Sequence, residues 1–309
     1  MRVASLLPSA TELLFAIGAG GDVVGVTHEC DWPPQVAALP RLTTSVFDHA
    51  SARSGEIDRH IRGAVHEGSG IYTLDAARLA ELQPDLIVTQ ELCEVCAVSY
   101  RQVEGAVREL PGEIPILSLE PESLDDIMET ALVLGRATLH EEGAERLVAE
   151  MRHRIAAVEA LPPVAGGRPG VACIEWTDPV MAGGHWVPEM VRLAAGDDLL
   201  GAEGERSEQV AWDDVVEAAP DVMVLMPCGY GLERSLDCAT EVTSRLGFDA
   251  LPCALSGRVA AVDGSSYFNR PGPRIVAGLE LLAAILRTTP GEPLPDGAAW
   301  VPLPQAASA

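Results

Sequence analysis

Residues 79–88 read Leu-Ala-Glu-Leu-Gln-Pro-Asp-Leu-Ile-Val, and residues 215–224 read Val-Val-Glu-Ala-Ala-Pro-Asp-Val-Met-Val. Each stretch predicts the end of a helix, a Pro-Asp turn and a short buried strand, because proline stops helices and apolar β-branched residues favour strands. A loop that carries a cysteine follows each strand, with Cys93 in the first half and Cys228 in the second. This weak repeat predicts two similar lobes that offer the same loop to a shared cleft; chance likeness between common βα units is the alternative.

Other apolar runs extend this pattern along the chain. Short runs rich in Val, Ile and Leu predict buried strands at residues 3–7, 23–26, 86–89, 114–117, 171–174, 222–226 and 259–262. Helical patterns lie between these runs, and such an alternation is typical of βα units with parallel strands. The predicted fold class is therefore α/β, with two βα lobes and mainly parallel sheets, joined by one long interdomain helix.

A long helical pattern separates the two halves and ends at Leu161-Pro-Pro-Val-Ala-Gly-Gly-Arg-Pro169. Proline and glycine interrupt helices, so the C-terminal half starts close to this point. We predict an N-terminal α/β lobe over residues 1–125, an interdomain helix over residues 126–165 and a C-terminal α/β lobe over residues 166–288. Residues 289–309 are predicted to form a tail, and its end, rich in Pro and Ala, is expected to be disordered.

The first predicted strand runs directly into a helix. Ser9-Ala-Thr-Glu12 has the spacing of a capping box, in which the Ser9 hydroxyl accepts from the amide of Glu12 and the Glu12 carboxylate reaches the Ser9 amide. The helix is then expected to continue to about Ile17. Such a turn points backbone amides beyond the strand ends, where a ligand can bind.

The composition limits the possible partners. The formal net charge is −25, and all 21 basic residues are arginines. An acidic excess of this size argues against nucleic acid or an anionic membrane surface as a partner. Because no apolar run approaches the roughly 18 residues that a membrane span needs, we also expect no membrane insertion.

The N-terminus and the cysteines indicate the compartment. The first apolar run is only about five residues long and no small-residue cleavage site follows it, so the sequence as it stands predicts a cytoplasmic protein without a signal peptide. The seven cysteines are an odd number. In this setting they are predicted to be reduced thiols or metal ligands, not a disulfide framework.

Four stretches together resemble the substrate-binding proteins of cobalamin and iron-siderophore ABC transporters, which are of the class III periplasmic-binding-protein type. They run over residues 5–12, 24–34, 82–88 and 267–274, and the resemblance covers roughly residues 2–288. It implies two α/β lobes bridged by a long helix, with a small-molecule ligand in the interlobe cleft. It also implies a binding protein that is not an enzyme, with an ABC permease as a possible partner and a usual location in the periplasm or outside the cell. We expect a monomer.

The resemblance and the predicted strand ends together indicate ligand-binding residues. Cobalamin binders line the cleft with aromatic side chains, since large flat faces bury much apolar area with few rotatable bonds. This chain departs from the family pattern at Glu29 and Gln90, where the family has aromatic residues, and at Ser266, where it has an acid. The ligand is therefore expected to be cobalamin, a related corrinoid or an iron chelate. The predicted contacts are Pro8, Ser9, Glu29, Trp32, Gln90, Trp176, Trp186, Tyr230, Tyr267, Phe268 and Arg270, with core packing as the alternative for Trp176.

A second group of residues suits a metal. Cys93-Glu-Val-Cys96 can place two thiolates on one thiophilic ion such as zinc, and a histidine can complete the set. The predicted ligands are His28, Cys30, Cys93, Cys96 and Cys228. The alternatives are direct contact with the metal of a chelate, redox chemistry and plain burial. This group supports a second hypothesis, a cytoplasmic Cys/His metal-site protein or metalloenzyme. Structural roles are predicted for Cys173, Cys238 and Cys253.

Overall fold

The computed structural model describes residues 1–45, 52–66, 72–90, 105 and 114–303. The chain forms two compact units. Unit 1 comprises Met1–Ala52, Glu56–Pro121 and Asp125–Met151, and unit 2 comprises Arg53–Gly55, Glu122–Leu124 and Arg152–Ala309.

Unit 1 is built on a parallel sheet. Its strands are β1 (Val3–Ser5), β2 (Val23–Val26), β3 (Thr43–Ser45), β4 (Tyr72–Leu74), β5 (Leu86–Thr89) and β6 (Ile116–Ser118). Four of them form a sheet in the order β2-β1-β5-β6 with parallel pairing throughout, and β3 pairs antiparallel with β4. The helices that begin in the first half are α1 (Pro8–Ala16), α2 (Ser54–His66), α3 (Ala76–Leu82), α4 (Leu124–Thr138) and α5 (Glu141–Glu159). Strand and helix side chains meet in a fully buried cluster of Ala4, Leu6, Leu42, Leu79 and Ile87.

Unit 2 has a larger, mixed sheet. Its strands are β7 (Gly170–Thr177), β8 (Val180–Ala182), β9 (Asp197–Asp198), β10 (Val222–Leu225), β11 (Val259–Val262) and β12 (Ala298–Trp300). The order is β12-β11-β10-β7-β8, with β9 also on β7; β7, β10 and β11 are parallel, while β8 and β12 are antiparallel to their neighbours. The helices are α6 (Val187–Leu193), α7 (Trp212–Ala218), α8 (Leu232–Cys238), α9 (Thr240–Thr243), α10 (Pro252–Leu255), α11 (Gly264–Tyr267) and α12 (Ile275–Arg287). The predicted α/β class with mainly parallel strands is confirmed.

The internal repeat predicted from the two Pro-Asp stretches is present in the backbone. Gln83, the residue that follows helix α3, has φ 45°. Ala219, the residue that follows helix α7, has φ 46°. Both residues adopt the left-handed conformation, which is uncommon for residues other than glycine. Each is followed by the proline that prevents the helix from continuing.

The aspartate of each Pro-Asp pair then holds the first strand of its own unit. The Asp85 carboxylate accepts from the amide of Arg2 at 2.8 Å, and the Asp221 carboxylate accepts from the amide of Gly170 at 2.8 Å. In return, the amide of each aspartate donates to the carbonyl of the same partner, at 2.7 Å for Asp85 and 2.8 Å for Asp221. The same reciprocal pair of hydrogen bonds therefore sets the strand register in both units.

The predicted capping box at Ser9 is wrong. Helix α1 begins two residues earlier than a cap at Ser9 would allow, at Pro8, and the residue before it, Leu7, makes no side-chain cap. Proline suits the first helical position because its φ is already close to the helical value and its missing N–H would have no partner there. The carbonyl of Leu7 instead accepts from both the amide and the hydroxyl of Thr11, each at 3.0 Å.

Two regions differ from the predicted domain plan. Two helices, α4 and α5, occupy the region predicted as one interdomain helix, and Leu139 separates them with φ 61°. The tail also contributes structure, because β12 pairs antiparallel with β11 through Ala298 to Trp300. An apolar edge strand buries surface that a free tail would expose, and this explains why residues beyond 288 join the sheet.

Candidate functional site

The loop after β2 in unit 1 is held by a guanidinium and a buried thiol. Arg41 donates to the carbonyls of Thr27 at 2.9 Å and Cys30 at 2.6 Å. The Cys30 sulfur lies 3.1 Å from the hydroxyl of Thr27 and 3.2 Å from that of Thr11, and the residue is 1% exposed. Because both ends of the loop are fixed, residues 28 and 29 are presented in one conformation beyond the strand.

His28 and Glu29 form the tip of this loop. The Nδ1 atom of His28 lies 2.7 Å from the hydroxyl of Thr43, and its ring centroid is 5.1 Å from that of Tyr72. Its other nitrogen, Nε2, lies 3.3 Å from a carboxylate oxygen of Glu29. The loop therefore offers an imidazole and a carboxylate next to the strand ends of unit 1.

Trp32 stands out among the aromatic residues. It is 45% exposed, and it is the only aromatic residue among the exposed large apolar side chains in the part of the chain that the structure describes. The other predicted contacts of unit 1 also lie at strand ends: Pro8 and Ser9 open α1 directly after β1, and Gln90 follows β5. Ser9 is buried, so it offers little surface to a ligand.

In unit 2 the predicted pair Trp176 and Tyr230 packs together. Trp176 lies near the end of β7 and Tyr230 follows β10, with ring centroids 5.3 Å apart. The guanidinium of Arg234 covers the Tyr230 ring at 3.8 Å and donates to its hydroxyl at 3.2 Å. Exposed fractions of 9% for Trp176 and 4% for Tyr230 leave little of either ring for a ligand in this conformation. The packing alternative for Trp176 therefore has direct support.

The predicted aromatic loop near the C-terminus divides its residues between core and surface. Phe268 is 0% exposed and is one of the largest fully buried side chains. It offers no surface to a ligand in this conformation, and its role as a ligand contact stays a prediction. Its carbonyl accepts from the indole N–H of Trp186, which is itself buried, at 2.8 Å. Tyr267 and Arg270, on either side, remain partly exposed. Neighbouring residues at this helix end therefore point to different surroundings.

Glu175 belongs to the strand ends of unit 2 but was missed as a site residue. One of its carboxylate oxygens accepts from the Ser207 hydroxyl at 2.7 Å, and the Ser207 oxygen accepts from the amide of Gly184 at 3.2 Å. Burial raises the pKa of Glu175, while hydrogen bonds from Ser207 and Gly184 act in the opposite direction. An acid inside an apolar strand was the available signal, since acids are rarely buried without a partner.

The three cysteines with predicted structural roles are buried. Cys173 lies in β7, Cys238 ends α8 and Cys253 lies in α10. Burial raises the pKa of Cys238 to about 12 and that of Cys253 to about 11, and it also raises the pKa of Cys173. Thiols that stay protonated are poor nucleophiles and poor metal ligands, which supports structural roles.

The predicted metal cluster stays a prediction. His28 and Cys30 lie in unit 1 and Cys228 lies in unit 2, while Cys93 and Cys96 fall outside the described residues. Within the described residues, no group of three or more His, Cys, Asp or Glu side chains could hold a metal ion.

In the part of the chain that the structure describes, no helix is both long and apolar enough to cross a membrane.

The raised pKa of Cys238 predicts a pH-dependent loss of stability. Below the ordinary thiol pKa of 9.0 both folded and unfolded states are protonated, but between pH 9 and about 12 only the unfolded thiol ionises. The free energy of unfolding should then fall by up to about 1.4 kcal/mol per pH unit through this one group. Urea unfolding of the wild type and Cys238→Ala at pH 9.0 and 10.5 checks it. The stability advantage of the wild type should shrink by about 1.5 kcal/mol; a constant difference would contradict the prediction.

Comparison with known proteins places this architecture among transport-related binding proteins. The chain is 22% identical over 289 residues to the vitamin B12-binding protein of Vibrio cholerae. The aligned region covers 93% of this chain and 89% of that protein. It is 23% identical to the uncharacterized ABC transporter substrate-binding lipoprotein YvrC of Bacillus subtilis, with coverage of 91% and 78%. The solved periplasmic haem-binding protein RhuT of Roseiflexus sp. RS-1 superposes with a TM-score of 0.66 at 22% identity, covering 93% of this chain and 97% of that one. The family described as periplasmic binding protein matches residues 3–264. Since this match spans most of its length, the chain belongs to the periplasmic binding protein family.

Proposed function

We propose that this protein binds a planar macrocyclic metal chelate, a corrinoid or a haem-type iron chelate, and presents it to an ABC transporter. In this role it acts as a binding protein and not as an enzyme. The exposed indole of Trp32 carries the proposal. A large flat apolar side chain that remains 45% exposed at a strand-end loop is suited to stack on a flat ligand.

The relatives support this ligand class. One is named for vitamin B12 and another for haem, and both ligands are flat rings with a central metal. The name of the Bacillus subtilis relative supports delivery to an ABC transporter. Polar groups around the edge of such a ring need hydrogen-bond partners, and His28, Glu29 and Gln90 lie on the strand-end loops of the same unit as Trp32. A corrinoid is the first choice, because the curated B12-binding relative is similar over nearly the whole chain.

Titration with a panel of chelates tests the proposal. Purified protein is mixed with cyanocobalamin, cobinamide, hemin and a ferric siderophore, and binding is followed by calorimetry and by the absorbance of the chelate. We expect one macrocycle to bind with a Kd in the micromolar range or tighter and the siderophore to bind at least tenfold more weakly. Absence of binding by cyanocobalamin, cobinamide and hemin would sink the proposal.

Trp32→Ala is expected to weaken binding of the accepted chelate by about tenfold, because loss of one stacking partner costs about 1.4 kcal/mol. Trp32→Phe keeps a flat ring and should stay within about threefold of the wild type. Trp300→Phe is the matched control, since Trp300 lies in the edge strand β12, where its indole N–H donates to the carbonyl of Glu292 at 3.0 Å. Equal Kd values for the wild type and Trp32→Ala would remove Trp32 from the site.

A further inference from the structure

We infer that Glu175 is a positioning residue that holds the ligand-facing loops of unit 2 in place without touching the ligand. This inference rests on the proposed function, because it assigns a task to the same strand ends. Glu175 is the only charged residue in β7, an eight-residue strand that is mostly apolar and largely buried. Its side chain and its carbonyl contact two different loops.

The first loop comprises residues 183–186, which we call the Gly184 loop. The Glu175 carboxylate accepts from Ser207, and Ser207 in turn accepts from the amide of Gly184, at 2.7 Å and 3.2 Å. This relay has one direction, because the Ser207 hydrogen points to the carboxylate and leaves its oxygen to accept. A side chain at Gly184 would overlap the backbone at Ser207, so the two segments touch directly. The carboxylate therefore adds a side-chain link to a contact that backbone hydrogen bonds, such as that from the amide of His185 to the carbonyl of Glu205, also hold.

The Gly184 loop is hydrogen-bonded to the loop that contains Tyr267 and Phe268. His185 adopts φ 53°, and its carbonyl accepts from the amide of Gly204 at 3.0 Å. The indole N–H of Trp186 donates to the carbonyl of Phe268 at 2.8 Å, next to the partly exposed Tyr267. A displaced Gly184 loop would therefore also release the loop that carries Tyr267.

The backbone of Glu175 holds the loop after β10. Its carbonyl accepts from the amide of Cys228 at 3.0 Å, which extends the strand pairing by one step beyond the sheet. Two residues later, the carbonyl of Tyr230 accepts from the amide of Ser265 at 3.0 Å. The Gly184 loop, the loop after β10 and the loop that carries Tyr267 are thus linked by a chain of hydrogen bonds that starts at Glu175.

A half-buried carboxylate at this place carries a desolvation cost, and the hydrogen bond from Ser207 acts against that cost. Burial disfavours the charged form of an acid, and an apolar residue would pack in a strand interior without that cost. An alanine would remove the acceptor and leave the Ser207 hydroxyl without its partner. A glutamine keeps one acceptor oxygen of similar shape and should preserve most of the placement.

Two variants test the inference from opposite sides of the same hydrogen bond. Glu175→Ala removes the acceptor inside the strand, and Ser207→Ala removes the donor on a partly exposed segment, so one variant remains if the other does not fold. Asp221→Asn is the matched control, because Asp221 also accepts from an amide, that of Gly170 at 2.8 Å, but at the opposite end of the same sheet. Hydrogen exchange of the Gly184 loop in the ligand-free protein and the Kd for cyanocobalamin and hemin are measured for each.

Glu175→Ala and Ser207→Ala are each expected to speed exchange in the Gly184 loop by tenfold or more and to weaken chelate binding by about tenfold. The double variant should lose little more than either single variant, since both remove one interaction. Glu175→Gln should return both readouts to within about threefold of the wild type, and Asp221→Asn should leave both unchanged. If Glu175→Ala or Ser207→Ala exchanged the amides of the Gly184 loop as slowly as the wild type and bound the chelate with the same Kd, the inference would be overturned. If neither chelate binds the wild-type protein, the proposed function fails, whereas the exchange rates still decide whether Glu175 holds the loop.

Discussion

Replacing Gly278 with alanine is expected to destabilise the protein by about 3 kcal/mol, although alanine is the better helix former. Gly278 lies in the first half of α12, and a Cβ atom there would overlap the carbonyl oxygen of Tyr267 and lie 3.1 Å from the side chain of Met190. The carbonyl belongs to the backbone and cannot rotate away, so α12 or the end of α11 must shift. Because Tyr267 is a candidate ligand contact, the shift should also weaken chelate binding.

A second helical glycine serves as the control. Gly63 lies within α2, and among the described residues a Cβ atom there would meet no atom outside its own stretch of helix backbone within 4 Å. Gly63→Ala should therefore stabilise the protein by about 0.5–1 kcal/mol through helix propensity alone. Urea unfolding of both variants measures the two free energies. Opposite signs are expected, and a Gly278→Ala variant as stable as the wild type would show that α12 has more room than this packing allows.

Phe268→Ala is expected to cost about 3–5 kcal/mol of folding free energy, the range for removing a buried phenylalanine ring. Phe268 is 0% exposed, so the ring contributes to the core of unit 2 and the variant leaves a cavity. Phe268→Leu fills most of that space and should cost clearly less. Chemical unfolding of the three proteins gives the two differences.

Trp32→Ala provides the contrast that separates a core residue from a ligand contact. An exposed side chain contributes little to folding, so this variant should lose less than about 1 kcal/mol of stability while losing chelate affinity. Phe268→Leu should show the reverse pattern, with reduced stability and chelate binding close to that of the wild type. If Phe268→Leu abolished binding without loss of stability, the assignment of Phe268 to the core would be wrong.

The sequence by itself determined seven of the twelve strands of the described residues, the repeat and the family. All seven predicted strands are present, and those at residues 23–26, 86–89 and 259–262 have the predicted bounds. These elements depend on local features, namely short apolar runs and the Pro-Asp turns, which act in the same way in almost any tertiary setting. Those features were sufficient for the α/β class, whereas the resemblance to substrate-binding proteins came from the four stretches at residues 5–12, 24–34, 82–88 and 267–274.

Only the tertiary structure decided which strand-end residues are exposed and which are buried. Trp32 and Phe268 are both aromatic and both follow predicted strand ends, yet one is 45% exposed and the other is fully buried. The difference depends on which segments pack over each ring, and those segments are distant in sequence. Glu175 shows the same limit, because its partner Ser207 lies 32 positions away along the chain. Side-chain burial and long-range hydrogen bonds are set by the packed fold, so residue type and position at a strand end could indicate the site but could not assign its members.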